Sequence, residues 1–209
     1  MVWHTLRAFA HTPQIRDVLV VVAPDDARME SLLVEYAADW SNASIRAERI
    51  GGVSRAASVL AGLRHLQLNG ADDNDWVLVH DAARCLIEPA FIRQLIDACQ
   101  HDAVGGLLAT PLPDTLKTAD HDRAITTIER NDKWLAQTPQ MFRLGALLQA
   151  LAAEEKDGFT GITDEASAME RQGLSPRLVQ PNGHNFKVTY PQDFVLAEAV
   201  LAMRQKESA

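Results

Sequence analysis

The feature that most constrains the fold is a set of apolar runs that do not alternate with polar residues. Residues 17–22 (DVLVVV), 76–80 (WVLVH) and 104–112 (VGGLLATPL) are rich in β-branched and other apolar side chains. Runs of this kind suit strands of a parallel sheet, because helices cover both faces of such a sheet. Residues 45–50 form a weaker run of the same type.

In the segments between these runs, apolar residues recur with helical periodicity. It predicts helices over residues 2–10, 56–66, 89–99, 144–155 and 164–172. Residues 186–188 predict a short strand, and Thr189 is the expected cap of a final helix with Pro191 in its first turn. Alternating strands and helices predict an α/β fold with a doubly wound, mostly parallel sheet, in one domain over residues 1–209.

One segment breaks the alternation. Residues 112–130 (LPDTLKTADHDRAITTIER) are polar, with β-branched residues near the ends and a charged centre. This pattern predicts a β-hairpin with a solvated tip at residues 120–123. A lone hairpin is unstable in water, so we expect this arm to lie on its own domain or on another subunit.

Charge and cysteine content limit the partners and the compartment. The 209 residues carry 20 Lys and Arg against 28 Asp and Glu, for a net charge of −8. This balance argues against a nucleic-acid polymer or an anionic membrane surface as partner, but it allows a small phosphorylated ligand. Cys85 and Cys99 have no metal-ligand spacing and are expected to be reduced in a cytoplasmic protein. No segment is long and apolar enough to span a bilayer, and residues 1–11 do not resemble a signal peptide.

Polar residues follow one of the predicted strands directly. In WVLVHDAAR, Asp81 comes just after the strand end, two alanines leave space, and Arg84 is close behind. Ligands of open parallel sheets bind beyond the carboxyl ends of strands, where a carboxylate can hold Mg²⁺ and an arginine can hold phosphate. The alternative is a capping aspartate beside an exposed arginine.

A second candidate site lies between the strand at residues 45–50 and the next helix. In IGGVSRAAS, Gly51 and Gly52 precede Ser54, the expected N-cap, and Arg55 and Ser58 lie about one turn apart. Free backbone N–H groups at a helix start bind anions or nucleotides, and glycine allows close approach of a ligand. The alternative is that the two glycines mark only a turn.

Five motifs taken together resemble a known family. They are VHDAAR, GG-x-x-R-x-x-S, R-N-x-x-W-x-x-Q-T-P-Q-x-F, TDEASA and N-x-K-V-T-x-P-x-D. Their combination is similar to that of the 2-C-methyl-D-erythritol 4-phosphate cytidylyltransferases of the non-mevalonate isoprenoid pathway. The resemblance covers nearly the whole chain and implies a Rossmann-like nucleotidyltransferase fold.

The resemblance also implies a reaction. A phosphate oxygen of methylerythritol phosphate attacks the α-phosphorus of CTP, and pyrophosphate leaves, with Mg²⁺ present. The residues implied to act on methylerythritol phosphate are the catalytic Arg130 and Lys187 and the hydroxyl donors Thr115, Thr138 and Thr163. The residues implied to bind the nucleotide are Gly52, Arg55, Ser58, Asp81, Ala82 and Arg84, with Asp81 also on the metal side. In the family the hairpin crosses to a partner subunit, so a homodimer is expected.

Plainer roles exist for several of these positions. Arg130 could be a surface arginine, Thr163 a helix cap, and Lys187 a side chain that points to water. Asp164 and Glu165 are expected to be ordinary first-turn acids that complement the helix dipole.

The chain departs from the family at its start. Family members begin with a strand and a glycine-rich loop, A-A-G-x-G-x-R followed by P-K-Q, that wraps the triphosphate, whereas MVWHTLRAF aligns after that region. Either Met1 is an internal methionine or the chain is a truncated paralogue. We expect an open slot, or a distortion, between the strands at residues 17–22 and 76–80, and a chain that is poorly soluble and does not turn over CTP.

Two other functions stay open from the sequence. One is a related nucleotidyltransferase that acts on another polyol phosphate, such as ribitol phosphate. The other is a truncated, non-catalytic dimeric homologue.

Overall fold

The computed structural model describes residues 1–40 and 43–207. The helices are α1 (Val2–Ala10), α2 (Met29–Glu35), α3 (Arg55–Leu68), α4 (Pro89–Cys99), α5 (Leu144–Glu154), α6 (Glu165–Arg171) and α7 (Pro191–Glu207). The strands are β1 (Asp17–Val21), β2 (Ser44–Glu48), β3 (Trp76–Val79), β4 (Gly105–Pro111), β5 (Leu116–Asp120), β6 (Arg123–Ile128), β7 (Trp134–Arg143) and β8 (Arg177–Val179). No helix in the described ranges has both the length and the apolar character needed to cross a membrane.

The central sheet has four strands in the order β3-β7-β4-β8. β7 runs antiparallel to both β3 and β4, while β4 and β8 are parallel. β3, β4 and β8 therefore share one direction, and β1 and β2 form a separate parallel pair. The predicted α/β fold with mostly parallel strands is confirmed.

Helices cover both faces of this sheet, and successive residues of β4 and β7 point to opposite faces. Leu107 and Phe142 belong to a core cluster with residues of α3, α5 and α6. Leu108 and Met141 belong to a cluster with residues of α1 and α4. Burial on both faces explains why the strand at residues 104–112 was recognisable as an unbroken apolar run.

β1 and β3 belong to different sheets. β1 pairs with β2 and β3 pairs with β7, so each of these two strands is at the edge of its described sheet. A cavity of about 1250 Å³ is lined by residues of both strands together with α1 and α3. The open slot, one of the two outcomes expected for these strands, is confirmed.

Two local predictions were wrong, and β8 was missed. Residues 186–188 are not a strand, because Val188 makes a single backbone hydrogen bond to the Ala83 carbonyl rather than a ladder. β8, which the sequence did not indicate, pairs with β4 instead. Thr189 does not cap α7, since its hydroxyl donates to the Lys187 carbonyl, while the Asp193 carboxylate accepts the backbone N–H groups of Thr189 and Tyr190.

The predicted hairpin is present. β5 and β6 are antiparallel and meet at a tight turn after Asp120, so the tip lies where the sequence placed it. Most of its residues are exposed, including the large apolar side chain of Ile125. The arm therefore lacks a partner of its own among the described residues that would bury it.

Candidate active site

Asp81 is the centre of the candidate site. It lies two residues beyond the end of β3, and its side chain is only 14% exposed. Oδ1 accepts a hydrogen bond from Nε of Arg55 at 2.8 Å, and Oδ2 lies 3.0 Å from Nζ of Lys187. The Asp81 backbone N–H donates to the hydroxyl of Thr138 at 3.0 Å. The structure thus brings together four residues that the sequence placed in one site.

Two cations keep Asp81 charged. Burial of the carboxyl pushes its pKa upward, but Arg55 and Lys187 outweigh burial and hold the pKa of Asp81 below its ordinary value. The carboxylate is therefore ionised at neutral pH, which a metal ligand requires.

Arg55 is held from its other side by Glu165. Nη1 and Nη2 of Arg55 donate to the two carboxylate oxygens of Glu165 at 2.6 Å and 3.0 Å. Glu165 and Asp81 raise the pKa of Arg55 against the effect of burial. Burial also raises the pKa of the Glu165 carboxyl, and the Arg55 guanidinium opposes that rise. Glu165, Arg55, Asp81 and Lys187 thus form a chain of alternating charge.

His80 and Thr138 extend the site beneath Asp81. The His80 ring places Nδ1 3.0 Å from the Thr138 hydroxyl and Nε2 3.3 Å from the Arg84 carbonyl. Because Thr138 accepts the Asp81 N–H, its own proton is free for Nδ1, and Nε2–H donates to the carbonyl. One ring nitrogen accepts a hydrogen bond and the other donates one, which is the pattern of a neutral His80. Burial of the ring lowers its pKa to about 4.

The neutral state of His80 predicts a loss of stability in mild acid. The unfolded chain takes up a proton below the ordinary pKa of 6.5, whereas folded His80 resists it down to about 4. The stability contribution is therefore complete above pH 6.5 and is lost as the pH falls towards 4. We expect the free energy of unfolding in urea to fall by about 2 kcal/mol more between pH 7 and pH 5 in the wild type than in His80→Gln.

The matched control is His101→Gln, which removes an exposed imidazole. It should keep the wild-type pH dependence of stability. Equal pH dependence in wild type and His80→Gln would contradict the assignment of a neutral buried ring.

The start of α3 has the form that the sequence predicted. Ser54 caps the helix by accepting the Ala57 N–H at 3.2 Å. The Gly52 N–H donates to the Ser58 hydroxyl at 3.0 Å. A Cβ on Gly52 would lie 2.6 Å from the Cβ of Ala57, so only glycine fits here. A nucleotide role for Gly52 and Ser58 stays a prediction.

Arg84 points its guanidinium at the backbone. Nη1 donates to the Asn185 carbonyl at 2.9 Å and Nη2 to the Ala136 carbonyl at 3.3 Å, while the buried Nε has no partner in the described structure. Arg84 therefore ties β7 to the segment that carries Lys187. Its predicted nucleotide contact, and that of exposed Ala82, stay predictions.

The remaining predicted residues lie around this centre or away from it. Thr163 is exposed and shares a small pocket of about 130 Å³ with Arg55 and Glu165. Thr115 and Arg130 are exposed at the base of the hairpin, and Arg130 donates to the Pro113 carbonyl of the same arm. Substrate roles for these three residues stay predictions.

Several residues of this region were not assigned to the site from the sequence. They are His80, Gln140, Glu165 and Asn185. Gln140 accepts the Ala166 N–H at 2.7 Å and donates to Asp164 at 2.8 Å, and Asn185 donates to the Thr138 carbonyl at 2.9 Å. A polar run inside a strand, Gln-Thr-Pro-Gln, is the signal that could have indicated β7 as a site-forming strand.

The acidic groups do not form a metal cage by themselves. No cluster of three or more His, Cys, Asp or Glu in the described residues could hold a metal ion. Mg²⁺ in nucleotide sites is commonly bound by one or two carboxylates and completed by phosphate oxygens. The single carboxylate of Asp81 therefore fits a Mg²⁺ that arrives with a nucleotide.

Comparisons with known proteins agree with one another. Residues 1–203 match the family model described as IspD, 2-C-methyl-D-erythritol 4-phosphate cytidylyltransferase. The chain is 60% identical, over 98% of its length, to a bifunctional enzyme IspD/IspF of Albidiferax ferrireducens, of which it spans 46%. It is 47% identical, over 99% of its length, to a 2-C-methyl-D-erythritol 4-phosphate cytidylyltransferase of Chromobacterium violaceum, of which it spans 87%. A crystal structure of 4-diphosphocytidyl-2C-methyl-D-erythritol synthase matches with a TM-score of 0.87 and 37% identity, covering 96% of this chain and 89% of that one.

Proposed function

The chain belongs to the 2-C-methyl-D-erythritol 4-phosphate cytidylyltransferase family, and we propose that it transfers a cytidylyl group from CTP to methylerythritol phosphate. The products are 4-diphosphocytidyl-2-C-methylerythritol and pyrophosphate, which places the reaction in isoprenoid precursor synthesis. The assignment of residues rests on one observation: the carboxylate of Asp81, just beyond β3, contacts both Arg55 and Lys187.

The chemistry explains why this arrangement is useful. A phosphate oxygen of methylerythritol phosphate forms a bond to the α-phosphorus of CTP, and the bond from that phosphorus to the pyrophosphate oxygen breaks. Both reactants are anions, so catalysis depends mainly on positioning and on neutralising charge. The Lys187 ammonium and the Arg130 guanidinium supply positive charge to methylerythritol phosphate.

The nucleotide side of the site is formed by α3 and Asp81. The glycine-containing start of α3 offers backbone N–H groups to the nucleotide, and the metal-side carboxylate is Asp81. Mg²⁺ bound there supplies charge neutralisation at the phosphates. Lys187 is 47% exposed and can leave Asp81 for a substrate phosphate, whereas Arg55 is fixed by Glu165.

The direct test is a turnover assay with CTP, Mg²⁺ and methylerythritol phosphate, followed by pyrophosphate release, on a protein in which the glycine-rich loop of the family precedes these 209 residues. We expect turnover that depends on both substrates and on the metal, and this longer protein is the wild type of every activity measurement below. The 209 residues alone are expected to be inactive. Ribitol phosphate in place of methylerythritol phosphate should give much less product. Equal or greater turnover with ribitol phosphate would favour the alternative nucleotidyltransferase, and CTP binding without turnover would favour the non-catalytic homologue.

The exposed hairpin predicts a homodimer. Its strands bury little within one chain, and Ile125 (65% exposed) and Leu116 (36% exposed) offer apolar surface to a partner. We expect a dimer in sedimentation at micromolar concentration, with the arm of one chain near the substrate site of the other. Replacing Ile125 with aspartate should shift the population towards monomer, because a charge buried in an interface is costly.

The control for this experiment is Val34→Asp on α2, where the valine is 77% exposed. It introduces the same charge at an exposed apolar position outside the arm and should remain dimeric. A monomeric wild type, or dissociation by both substitutions alike, would contradict the proposed arm contact.

A cytoplasmic location is part of the same proposal. Cys85 and Cys99 are free and buried. Burial raises the pKa of the Cys99 thiol to about 11, so this cysteine is protonated at neutral pH. Two unreactive thiols suit a reducing compartment.

A further inference from the structure

Glu165 is a buried charge that the start of its helix does not require. It is the first residue of α6, and only 1% of its side chain is exposed. The N-cap of that helix is Asp164, which accepts the Ser167 N–H and forms a capping box with it. A first-turn acid that only complements the helix dipole would lie at the surface, so the burial of Glu165 needs another explanation.

The free-energy cost of burying the Glu165–Arg55 ion pair also indicates that Glu165 has a role beyond stability. Removing the Glu165 carboxylate from water costs several kcal/mol, and the Arg55 guanidinium, on a side chain that is 34% exposed, is partly desolvated as well. Such a pair is therefore weak evidence for a role in stability alone. What a bidentate pair does provide is geometry, because two parallel hydrogen bonds fix the plane of the guanidinium. With Nη1 and Nη2 held by Glu165, the Nε–H of Arg55 is directed at Oδ1 of Asp81.

Glu165 is itself held in place. Gln140 on β7 accepts the N–H of Ala166, the next residue, and donates to Asp164, the preceding one. The central sheet is thereby bonded to the backbone of the residue after Glu165 and to the side chain of the residue before it. From Glu165, side-chain hydrogen bonds continue through Arg55 to Asp81.

We propose that Glu165 is a positioning residue for cytidylyl transfer, which fixes Arg55 and through it the carboxylate of Asp81. This inference rests on the proposed function for its effect on turnover. Glu165 acts through Arg55 and does not touch the reacting atoms. With Asp81 fixed by Arg55, the Oδ2 atom remains available to Lys187 or to a metal ion.

The variant that tests the proposal is Glu165→Gln. The amide keeps the size of the side chain, but its NH₂ group faces an Arg55 N–H, so donor meets donor and the bidentate pair is broken. Arg55 is then free to turn away from Asp81. Because small misplacements in such sites can cost about 10²-fold, we expect turnover at saturating substrates to fall by about 10- to 100-fold.

Glu154→Gln is the matched control. Glu154 on α5 is also a buried glutamate paired with an arginine, Arg171 on α6, but this pair is not connected to Asp81. Both variants should lose stability in urea by similar amounts. Only Glu165→Gln should lower turnover among molecules shown to be folded.

A second measurement decides the proposal without relying on activity. In arginine-labelled protein, the Arg55 Nε–H signal, assigned with Arg55→Lys, should exchange slowly with water because it is held on Asp81. We expect its exchange to become at least about ten times faster in Glu165→Gln and to be unchanged in Glu154→Gln. Unchanged exchange in Glu165→Gln would overturn the proposal, as would equal turnover in the two variants. Absent turnover in the wild type would instead count against the proposed function, and the exchange measurement would still decide the role of Glu165.

Discussion

Asp81→Asn will reduce cytidylyl transfer by about 10³-fold, because it removes the carboxylate that pairs with two cations and that we propose as the metal ligand. The substitution keeps the shape of the side chain and the backbone N–H that donates to Thr138. It leaves Arg55 and Lys187 with one fewer negative charge between them. The loss should therefore be chemical rather than a loss of fold.

The dependence of turnover on Mg²⁺ concentration distinguishes the loss of a metal ligand from a general disturbance of the site. In the wild type, turnover should rise with Mg²⁺ and then saturate. In Asp81→Asn, the remaining turnover should depend much less on Mg²⁺ concentration. CTP binding without metal should not weaken, because the site has gained net positive charge.

Asp17→Asn is the control for Asp81→Asn. Asp17 also pairs with an arginine, Arg46 at 3.3 Å, but its side chain is 58% exposed and the pair lies at the start of β1. Exposed pairs of this kind contribute little, about 0–1 kcal/mol, so turnover and stability should stay near the wild-type values. A wild-type Mg²⁺ response in Asp81→Asn would show that Asp81 is not on the metal side.

The sequence predicted the fold well where one kind of side chain dominates a segment. The apolar runs of β1, β3 and β4 and the stripes of α1 and α4 follow from burial on defined faces. β7 was missed because its buried centre is polar: Gln137, Thr138 and Gln140 are all below 9% exposed and satisfied by hydrogen bonds. Such a strand has neither an apolar run nor simple alternation.

The site was predictable in part for a different reason. Asp81 follows a strand and Arg55 begins a helix, and ligands commonly bind at both kinds of position. Lys187 was assigned to the site only through the family resemblance. Glu165 was interpreted as an ordinary first-turn acid that complements the helix dipole, because its partner, Arg55, is 110 residues away in the chain. Contacts at that distance in sequence depend on how β3, α3 and α6 pack, which local patterns do not specify. The role of His80 likewise depends on Thr138, which lies on a strand that was not predicted.

Lys187→Ala will lower turnover of methylerythritol phosphate by about 10³-fold or more, because a positioned cation in phosphoryl transfer is worth about 10³- to 10⁵-fold. Arg130→Ala should have an effect of the same kind. Neither variant should weaken CTP binding much, since both cations are assigned to the other substrate. Lys206→Ala, which removes an exposed lysine in the last turn of α7, should leave turnover unchanged. Loss of CTP affinity with normal turnover at saturation would show that the division of roles is wrong.

Mixing the two inactive variants tests whether the site is shared between subunits. If Arg130 reaches the site of the partner chain, a dimer of one Lys187→Ala chain and one Arg130→Ala chain contains one site with both cations intact. After subunit exchange in an equal mixture, about a quarter of the wild-type sites should be restored, because half of the dimers are mixed and half of their sites are complete. If Arg130 acts within its own chain, no mixed dimer has a complete site, and turnover should stay at the level of the separate variants. Recovery of turnover on mixing therefore requires both a dimer and an arm that crosses to the partner chain. If subunits exchange and turnover does not recover, Arg130 acts in the site of its own chain.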